Sequence, residues 1–446
     1  MGMRRRISVA SPLPLVLLYM EVLMPIQAPK GTRDILPGEI HKWHYIESVI
    51  RDICRCYGYD EIRLPLFEHT ELFSRGVGES TDIVQKEMYT FDDKAGRSLS
   101  LRPEGTAGVV RAYIENGMKS LATPRKMYYY GPMYRYENVQ RGRYREFWQF
   151  GGEVIGAAGP EADAELISLL KALFDNIGLK RTDLRINSIG CPVCRPVYND
   201  LLRGFLESKL DRLCADCRER YRKNPLRALD CKQESCRNET SGAPLPLDHL
   251  CDDCSAHFEG LKNGLDELGI AFTVDKTIVR GLDYYTRTVF EYLSENVKSL
   301  GSTICGGGRY DGLVGVCGGQ DTPGVGFSVG IERLFIELES YAAVLPEAAG
   351  ADVFIIYAGQ SARTCAARLV NGLRYAGVSA GIDLLGRGVK AQMKYADKQN
   401  AVYTAVIGEE ELASGKAVLR KMADGANTII ALDEFVENVR SLVRRV

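Results

Sequence analysis

The chain has 446 residues, 45% hydrophobic and 26% charged, with a formal net charge of -1. At roughly 150 residues per domain this means two or three domains with apolar mass for separate cores, and no run reaches the ~18 apolar residues of a membrane-spanning helix. The apolar content argues against wholesale disorder, and 57 Lys and Arg balanced by 58 Asp and Glu argue against a basic nucleic-acid coat.

Residues 1–23 have the outline of a signal peptide, a basic cluster followed by an apolar run. Pro12 and Pro14 break the run, Glu21 ends it, and no small-x-small cleavage site follows. Met20-Glu21-Val22 can be encoded by ATG-GAG-GTN, which contains the ribosome-binding sequence GGAGGT. We therefore expect Met24 to be the start and 1–23 a non-native leader, with a cytoplasmic location following from that. Mass spectrometry of the native protein tests this expectation; an N-terminal peptide beginning before Met20 would sink it.

Trp43, Ile46, Ile50, Ile53 and Tyr57, spaced 3-4-3-4 and stopped by Gly58, predict an amphipathic helix over 39–57. Glu61 to Phe67 reads as a strand, with Pro65 at an edge or interface. A strand over 98–102 leads to a helix from Thr106. Two aromatic-rich strands, 126–136 and 146–155, form a long hairpin. A helix over 161–178, a strand over 183–189, a helix over 257–268 and strands within 271–293 follow. Residues 301–330 read as a Gly-rich loop region ending in a strand, then a helix from Ile331. An Ala-rich linker (341–350) precedes an α/β domain with strands at 352–357, 402–407 and 428–431. Over 351–446 there are 13 Lys and Arg against 10 Asp and Glu, a local excess of +3.

Two counts stand out: 13 cysteines and 45 glycines. The glycine share, above the ~7% background, asks for turns or close approach of backbone to a ligand. Eight cysteines fall in one stretch, as Cys191-x2-Cys194, Cys214-x2-Cys217, Cys231-x4-Cys236 and Cys251-x2-Cys254. Cys-x2-Cys knuckles let two thiolates reach one tetrahedral ion from a tight turn, so the stretch reads as zinc-binding and structural, with two four-cysteine sites or one site plus spare thiols. A set of buried, redox-silent cysteines is the plainer alternative.

Four arginines (Arg135, Arg141, Arg143, Arg145) lie within eleven residues of the hairpin loop Tyr134–Glu146. Guanidinium forks at that density suit phosphate or a nucleic-acid backbone, and a solvated hairpin tip is the alternative. Arg280-Gly-Leu-Asp-Tyr-Tyr285 puts an arginine and two tyrosines on what reads as a strand. Gly306-Gly-Gly-Arg-Tyr-Asp-Gly312 is a Gly-rich loop that is neither a P-loop nor a GxGxxG fingerprint. Gly330-Ile-Glu-Arg333 places an arginine in the first turn of a helix. Together they make four arginine-bearing sites on one mostly antiparallel sheet.

On these residues, and on Ala28-Pro-Lys-Gly-Thr-Arg-Asp34, nearly everything after residue 24 resembles the class II aminoacyl-tRNA synthetases, and among them the histidyl-tRNA synthetase family. The helix and strand ending at Pro65 resemble class motif 1, the dimer-forming element. Arg135 and Glu137 with the following loop resemble motif 2, and Gly330 to Arg333 resembles motif 3. Arg280 to Tyr285 and Gly307 to Gly312 resemble stretches peculiar to the histidine enzymes. The resemblance implies an α+β fold: an antiparallel sheet flanked by helices, with a Cys-rich insertion and a C-terminal α/β anticodon-binding domain. The expected domains are a catalytic core in two parts (24–189 and 257–340), the insertion (190–256), the linker (341–350) and the anticodon-binding domain (351–446).

The same resemblance implies a homodimeric histidine–tRNA ligase using L-histidine, ATP, Mg2+ and tRNA(His). Arg135 and Arg280 would act on the α-phosphate, with Arg135, Glu137, Arg143 and Arg333 binding ATP. Glu104, Thr106 and Gln149 would bind the α-amino group of histidine. Glu153 and Tyr285, with Tyr284 and Tyr310, would form the imidazole pocket. Cys191, Cys194, Cys214, Cys217, Cys231, Cys236, Cys251 and Cys254 would hold zinc, in an insertion expected to clamp the tRNA acceptor arm. Arg387, Lys390 and Lys394 are candidates for RNA backbone contact. Trp148 and Gly152 depart from the family pattern beside the pocket. The competing reading is a synthetase-like, histidine-binding regulatory subunit of histidine biosynthesis; such paralogues typically lack the anticodon domain and erode the Arg280 region, both of which are intact here.

Overall fold

The computed structural model describes residues 26–79, 81–295, 303–340 and 345–443, so the expected leader and part of the expected linker lie outside it. The chain divides into two compact units, one ending at Leu345 and one beginning at Pro346. Among the described residues no helix is long and apolar enough to cross a membrane.

Among the described residues of the first unit, eleven strands form two sheets. They are β1 (Asp60–Glu61), β2 (Phe67–His69), β3 (Thr90–Asp92), β4 (Ser98–Leu101), β5 (Arg125–Tyr134), β6 (Glu146–Ile155), β7 (Thr182–Ser188), β8 (Thr273–Val274), β9 (Thr286–Ser294), β10 (Thr303–Arg309) and β11 (Gly324–Gly330). The large sheet has the order β1-β5-β6-β11-β10-β9-β7-β8, antiparallel except for the parallel pairs β1/β5 and β7/β8 at its edges; β2, β4 and β3 make a small second sheet. Side chains alternate across the large sheet. Tyr128, Phe150 and Val154 join the main core with the helices Ile40–Tyr57, Pro160–Asn176, Asp252–Glu267 and Ile331–Ser340, whereas Met127 and Tyr129 pack with Val109, Val110 and Tyr113 of the helix Thr106–Glu115.

The helix Ile40–Tyr57 forms as its spacing predicts, burying Trp43, Ile46, Ile50 and Ile53, and ends at Gly58, whose left-handed φ of 72° few other residues adopt readily. Three expectations are corrected. Glu61–Phe67 is not one strand: only its ends pair, because the carbonyls of Leu64 and Pro65 accept from the Arg102 guanidinium, Leu64 at 2.8 Å. Arg280–Tyr285 is an irregular segment that enters β9 only at Thr286. Gly306–Gly308 is not a loop but the middle of the central strand β10.

The second unit carries β12 (Val353–Tyr357), β13 (Ala380–Ile382), β14 (Tyr403–Ile407), β15 (Lys416–Lys421) and β16 (Asn427–Ala431) in the order β13-β12-β14-β15-β16. Its core joins Val353 and Ile355 to Ala366, Val370 and Leu373 of the helix Gln360–Tyr375. Lys390 and Lys394 are exposed one turn apart on the helix Val389–Lys398. Arg387 is instead committed to Asp383 and to the face of Tyr395, 4.0 Å from its centroid.

Candidate active site

The cleft lies on the sheet face opposite the main core, and its floor follows from strand register. One lateral row reads Tyr129, Gly151, Ser328, Gly306, Glu291; the next reads Met127, Glu153, Gly326, Gly308, Val289. The first row alternates glycine with a larger residue, the second sets Gly326 and Gly308 side by side, and neighbouring side chains lie where a Cβ would stand. A Cβ on Gly151 would meet the Tyr129 ring, on Gly306 the Arg280 guanidinium, on Gly326 the Glu153 carboxylate, and on Gly308 the Tyr285 ring. These four glycines are required by close approach, whereas seventeen other described glycines take positive φ in turns and caps.

Of the residues expected in the site, Glu104, Thr106, Arg135, Glu137, Arg143, Gln149, Arg280, Tyr284, Tyr285 and Arg333 line one cleft. Glu153 and Tyr310 sit behind them. Glu153, on β6, is fully buried and accepts hydrogen bonds from Thr106 Oγ1 at 2.7 Å and from the Tyr310 hydroxyl. Burial pushes its carboxyl up to about 8, against the pull of those two hydroxyls. Glu104 accepts from the backbone N–H groups of Thr106 and Ala107 at 2.7 and 2.8 Å, a carboxylate at the helix N-terminus. Tyr284 stacks obliquely on Tyr285 with centroids 4.7 Å apart and meets Tyr310 edge-on at 5.7 Å. Gln149 lines the cleft, and its Oε1 is buried with no hydrogen-bond partner among the described residues.

The other half of the cleft is cationic. Arg135 donates from Nε to the Pro103 carbonyl at 2.8 Å, and Arg143 pairs with Glu137 at 3.4 Å. Arg333, in the first turn of its helix, donates to the Thr303 carbonyl at 3.0 Å. Burial lowers its pKa, and repulsion from Arg143 and Arg135 lowers it further. Arg280 is ion-paired with Glu291; burial opposes its charge, but that carboxylate holds its pKa above the ordinary arginine value. Of the loop arginines, Arg145 lies on the Tyr136 ring, 3.7 Å from its centroid, and Arg141 is exposed, so only Arg135 and Arg143 face the cleft.

The two departures lie away from the lining. Trp148 packs on the main-core side against Trp43 and Tyr130, with centroids 5.9 and 5.2 Å apart. The space of a Gly152 side chain is taken by Phe327, whose Cε1 would be 2.6 Å from a Cβ. Sequence reasoning missed Tyr129, Glu291 and Glu332. Tyr129 had a signal in the glycines opposite it; Glu291 had none, because its link to Arg280 exists only through sheet register.

The eight insertion cysteines gather into two groups: Cys191, Cys194, Cys251 and Cys254, and Cys214, Cys217, Cys231 and Cys236, with the sulfurs of each group within 4.8 Å of one another. The first pair joins the last, and the middle four close on themselves.

An eight-stranded, mainly antiparallel sheet carrying a motif 2-like hairpin and a helix-borne arginine defines the class II aminoacyl-tRNA synthetase fold. Residues 31–334 match the family described as histidyl-tRNA synthetase, and residues 352–442 match the anticodon binding domain. A curated histidine–tRNA ligase of Acetivibrio thermocellus is 57% identical over 417 residues, 94% of this chain and all of that one. The apo histidyl-tRNA synthetase of S. aureus superposes with a TM-score of 0.81 at 41% identity, covering 93% of this chain and all of that one. A Bacillus halodurans chain described as an ATP phosphoribosyltransferase regulatory subunit/histidyl-tRNA synthetase reaches a TM-score of 0.59 at 25% identity, covering 86% and 99%. The chain belongs to the histidyl-tRNA synthetase family.

Proposed function

We propose that the cleft activates L-histidine with ATP and that the chain then charges tRNA(His). The chain is a histidine–tRNA ligase, a reading favoured over the regulatory subunit by full-length likeness to curated ligases. The carrying observation for the residue roles is that Arg135, Arg143, Arg280 and Arg333 share one cleft in which Arg333 is held against the repulsion of its neighbours. A polyanion relieves that repulsion, and a triphosphate is the polyanion such a cleft fits.

In the first step a carboxylate oxygen of histidine attacks the α-phosphorus of ATP in line. The bond from that phosphorus to the bridging oxygen breaks and pyrophosphate leaves. Arg135 and Arg280 stabilise the charge developing on the α-phosphoryl oxygens; Arg143 and Arg333 hold the γ end, with Glu137 keeping Arg143 in place. Mg2+ neutralises part of the phosphate charge when bound, and Glu137 is a carboxylate of the cleft able to hold it. No side-chain base is required, because a carboxylate is already a nucleophile at neutral pH. Gln149 Oε1 and Glu104 receive the substrate ammonium, and Tyr285 with Tyr284 faces the imidazole over the Glu153–Thr106–Tyr310 network. In the second step the terminal ribose hydroxyl of tRNA attacks the carbonyl of the adenylate and AMP leaves.

Two zinc ions per chain are proposed for the cysteine groups. A tetrahedron of thiolates at Zn–S ≈ 2.3 Å has sulfur–sulfur edges of about 3.8 Å; the Cys191–Cys194, Cys191–Cys251 and Cys214–Cys231 separations are 3.8, 3.9 and 4.0 Å. Backbone N–H groups of Cys251 and Cys214 point at Cys194 and Cys236 sulfurs at 3.1 and 3.2 Å, as thiolate ligands require. A homodimer is proposed on the exposed Phe67 and Phe91 of the small sheet and Leu66 just before it, and the cytoplasm is the proposed location.

Histidine-dependent ATP–pyrophosphate exchange followed by transfer to tRNA tests the reading. Exchange with another amino acid but not with histidine would overturn it.

A further inference from the structure

The insertion touches the amino-acid pocket at several points, and each contact lies within seven residues of a cysteine. Arg195, next to Cys194, donates from Nη2 to the Tyr285 carbonyl at 2.7 Å and from Nε to the Ile189 carbonyl at 3.1 Å. Arg287 has the left-handed φ of 49° unusual for a side-chain-bearing residue, and its backbone is tied both ways to Ile189 and Gly190, at 2.8 and 2.9 Å, just before Cys191. From the inner group, Asn224 donates to Asp283 Oδ1 at 2.9 Å and Arg227 donates to the Gly281 carbonyl. Arg220 pairs with Asp82 at 3.0 Å, beside Ile83 of the cleft wall.

Tyr285 also belongs to the insertion's own apolar cluster, with Tyr198, Leu202, Leu226, Cys217 and Cys236. Arg280–Tyr285 pairs with no strand among the described residues; the Asp283 N–H donates to the Val77 carbonyl at 3.1 Å, and insertion side chains donate to the Gly281 and Tyr285 carbonyls. Packing holds part of this: the helix Cys194–Glu207 buries Tyr198, Leu202 and Leu206, and the turn Pro225–Ala228 buries Leu226 and Ala228. The helix Ala215–Lys223 buries only Cys217, too little to fix its position by the hydrophobic effect. A metal on the four sulfurs would tether that helix at its N-terminal end and bracket the turn carrying Asn224 and Arg227 between ligands at Cys217 and Cys231.

We propose that the two four-cysteine metal sites position the Arg280–Tyr285 segment, so that metal loading sets the affinity for histidine in the activation step, before any tRNA is bound. This rests on the zinc reading above. Arg195, Asn224 and Arg227 are the positioning residues through which the sites act.

The experiment uses the full chain without tRNA: zinc per chain by elemental analysis, alongside KM for histidine and for ATP in pyrophosphate exchange. The wild type is expected to carry two zinc ions. Cys236→Ser is expected to lose one of them and to raise histidine KM about tenfold, with ATP KM within about twofold. Arg227→Met and Arg195→Lys are expected to keep both ions and to raise histidine KM in the same direction by roughly tenfold, about one hydrogen bond. Absence of zinc from the wild type would overturn the metal reading and this inference with it. Two ions bound, with histidine KM unchanged in all three variants, would overturn the positioning role alone. In a separate aminoacylation assay, a rise confined to the KM for tRNA would do the same and favour a clamp on the acceptor arm.

Discussion

The guanidinium of Arg280 lies over the Cα of Gly306, in the volume a side chain there would occupy, and is paired with Glu291, the strand neighbour of Gly306 in the same lateral row. A part-buried cation is thereby held on the floor of the cleft with its charge secured by one carboxylate. The developing negative charge of the α-phosphoryl group is its expected counterpart. Arg280→His is expected to lower the rate of pyrophosphate exchange by about 10²–10³, the usual cost of removing one such donor. Histidine binding, measured by equilibrium dialysis, should persist; its loss would assign Arg280 to binding and not to the reaction.

Neighbouring glycines of the same strand separate function from stability. The nearest atoms to a Cβ at Gly306 are the far end of the Arg280 side chain, so Gly306→Ala should shift the melting temperature little while lowering exchange at least about tenfold. A Cβ at Gly307 meets the Gly326 carbonyl and the Phe290 ring, neither of which can swing away. Gly307→Ala should therefore cost about 1–3 kcal/mol in denaturant unfolding. Equal effects of both variants on stability would contradict this account of the floor.

Glu153 gives stability a pH dependence with a definite sign. Its carboxyl is raised by burial from 4.5 to about 8, so the folded state holds a proton that the unfolded state has released. The contribution is full below about pH 4.5 and is lost as the pH rises through about 8. Melting temperature should fall across that window, and Glu153→Gln, which carries no titrating group, should flatten the fall. A residual slope is expected, since burial also raises Glu332 to about 7. An identical slope in variant and wild type would remove Glu153 as its source.

Phe67 and Phe91 meet edge-on at 6.4 Å on the small sheet, and both are about half exposed. Apolar rings left in water beside the motif 1-like element are expected to be covered in a dimer. Phe67→Asp should move sedimentation equilibrium toward monomer at micromolar concentration, with exchange activity falling alongside. An unchanged dimer would exclude this patch from the interface.

Much of the chemistry was legible in local sequence. The 3-4 spacing of Trp43 to Tyr57, the alternation of the β5–β6 hairpin and the Cys-x2-Cys knuckles each encode their structure within a few residues, and the arginines sat in recognisable segments. The errors came where distant chain decides. Glu61–Phe67 has strand-like residues, but Arg102 captures its carbonyls. Gly306–Gly308 has loop-like composition, but two flanking strands and the side chains lying over it make it the central strand.

By itself, the sequence determined the fold class, the family and the residue types available for the reaction, because periodicity, capping and motif spacing are local properties. Only the tertiary structure decided how they combine. Register placed Glu291 beside Arg280 and set Glu153 behind the pocket, not in its lining. Chain closure joined Cys191 and Cys194 to Cys251 and Cys254 across some sixty residues, enclosing the other four cysteines in a second group. Such pairings depend on the register and packing of strands and loops far apart in the chain, and no window of neighbouring residues carries that information.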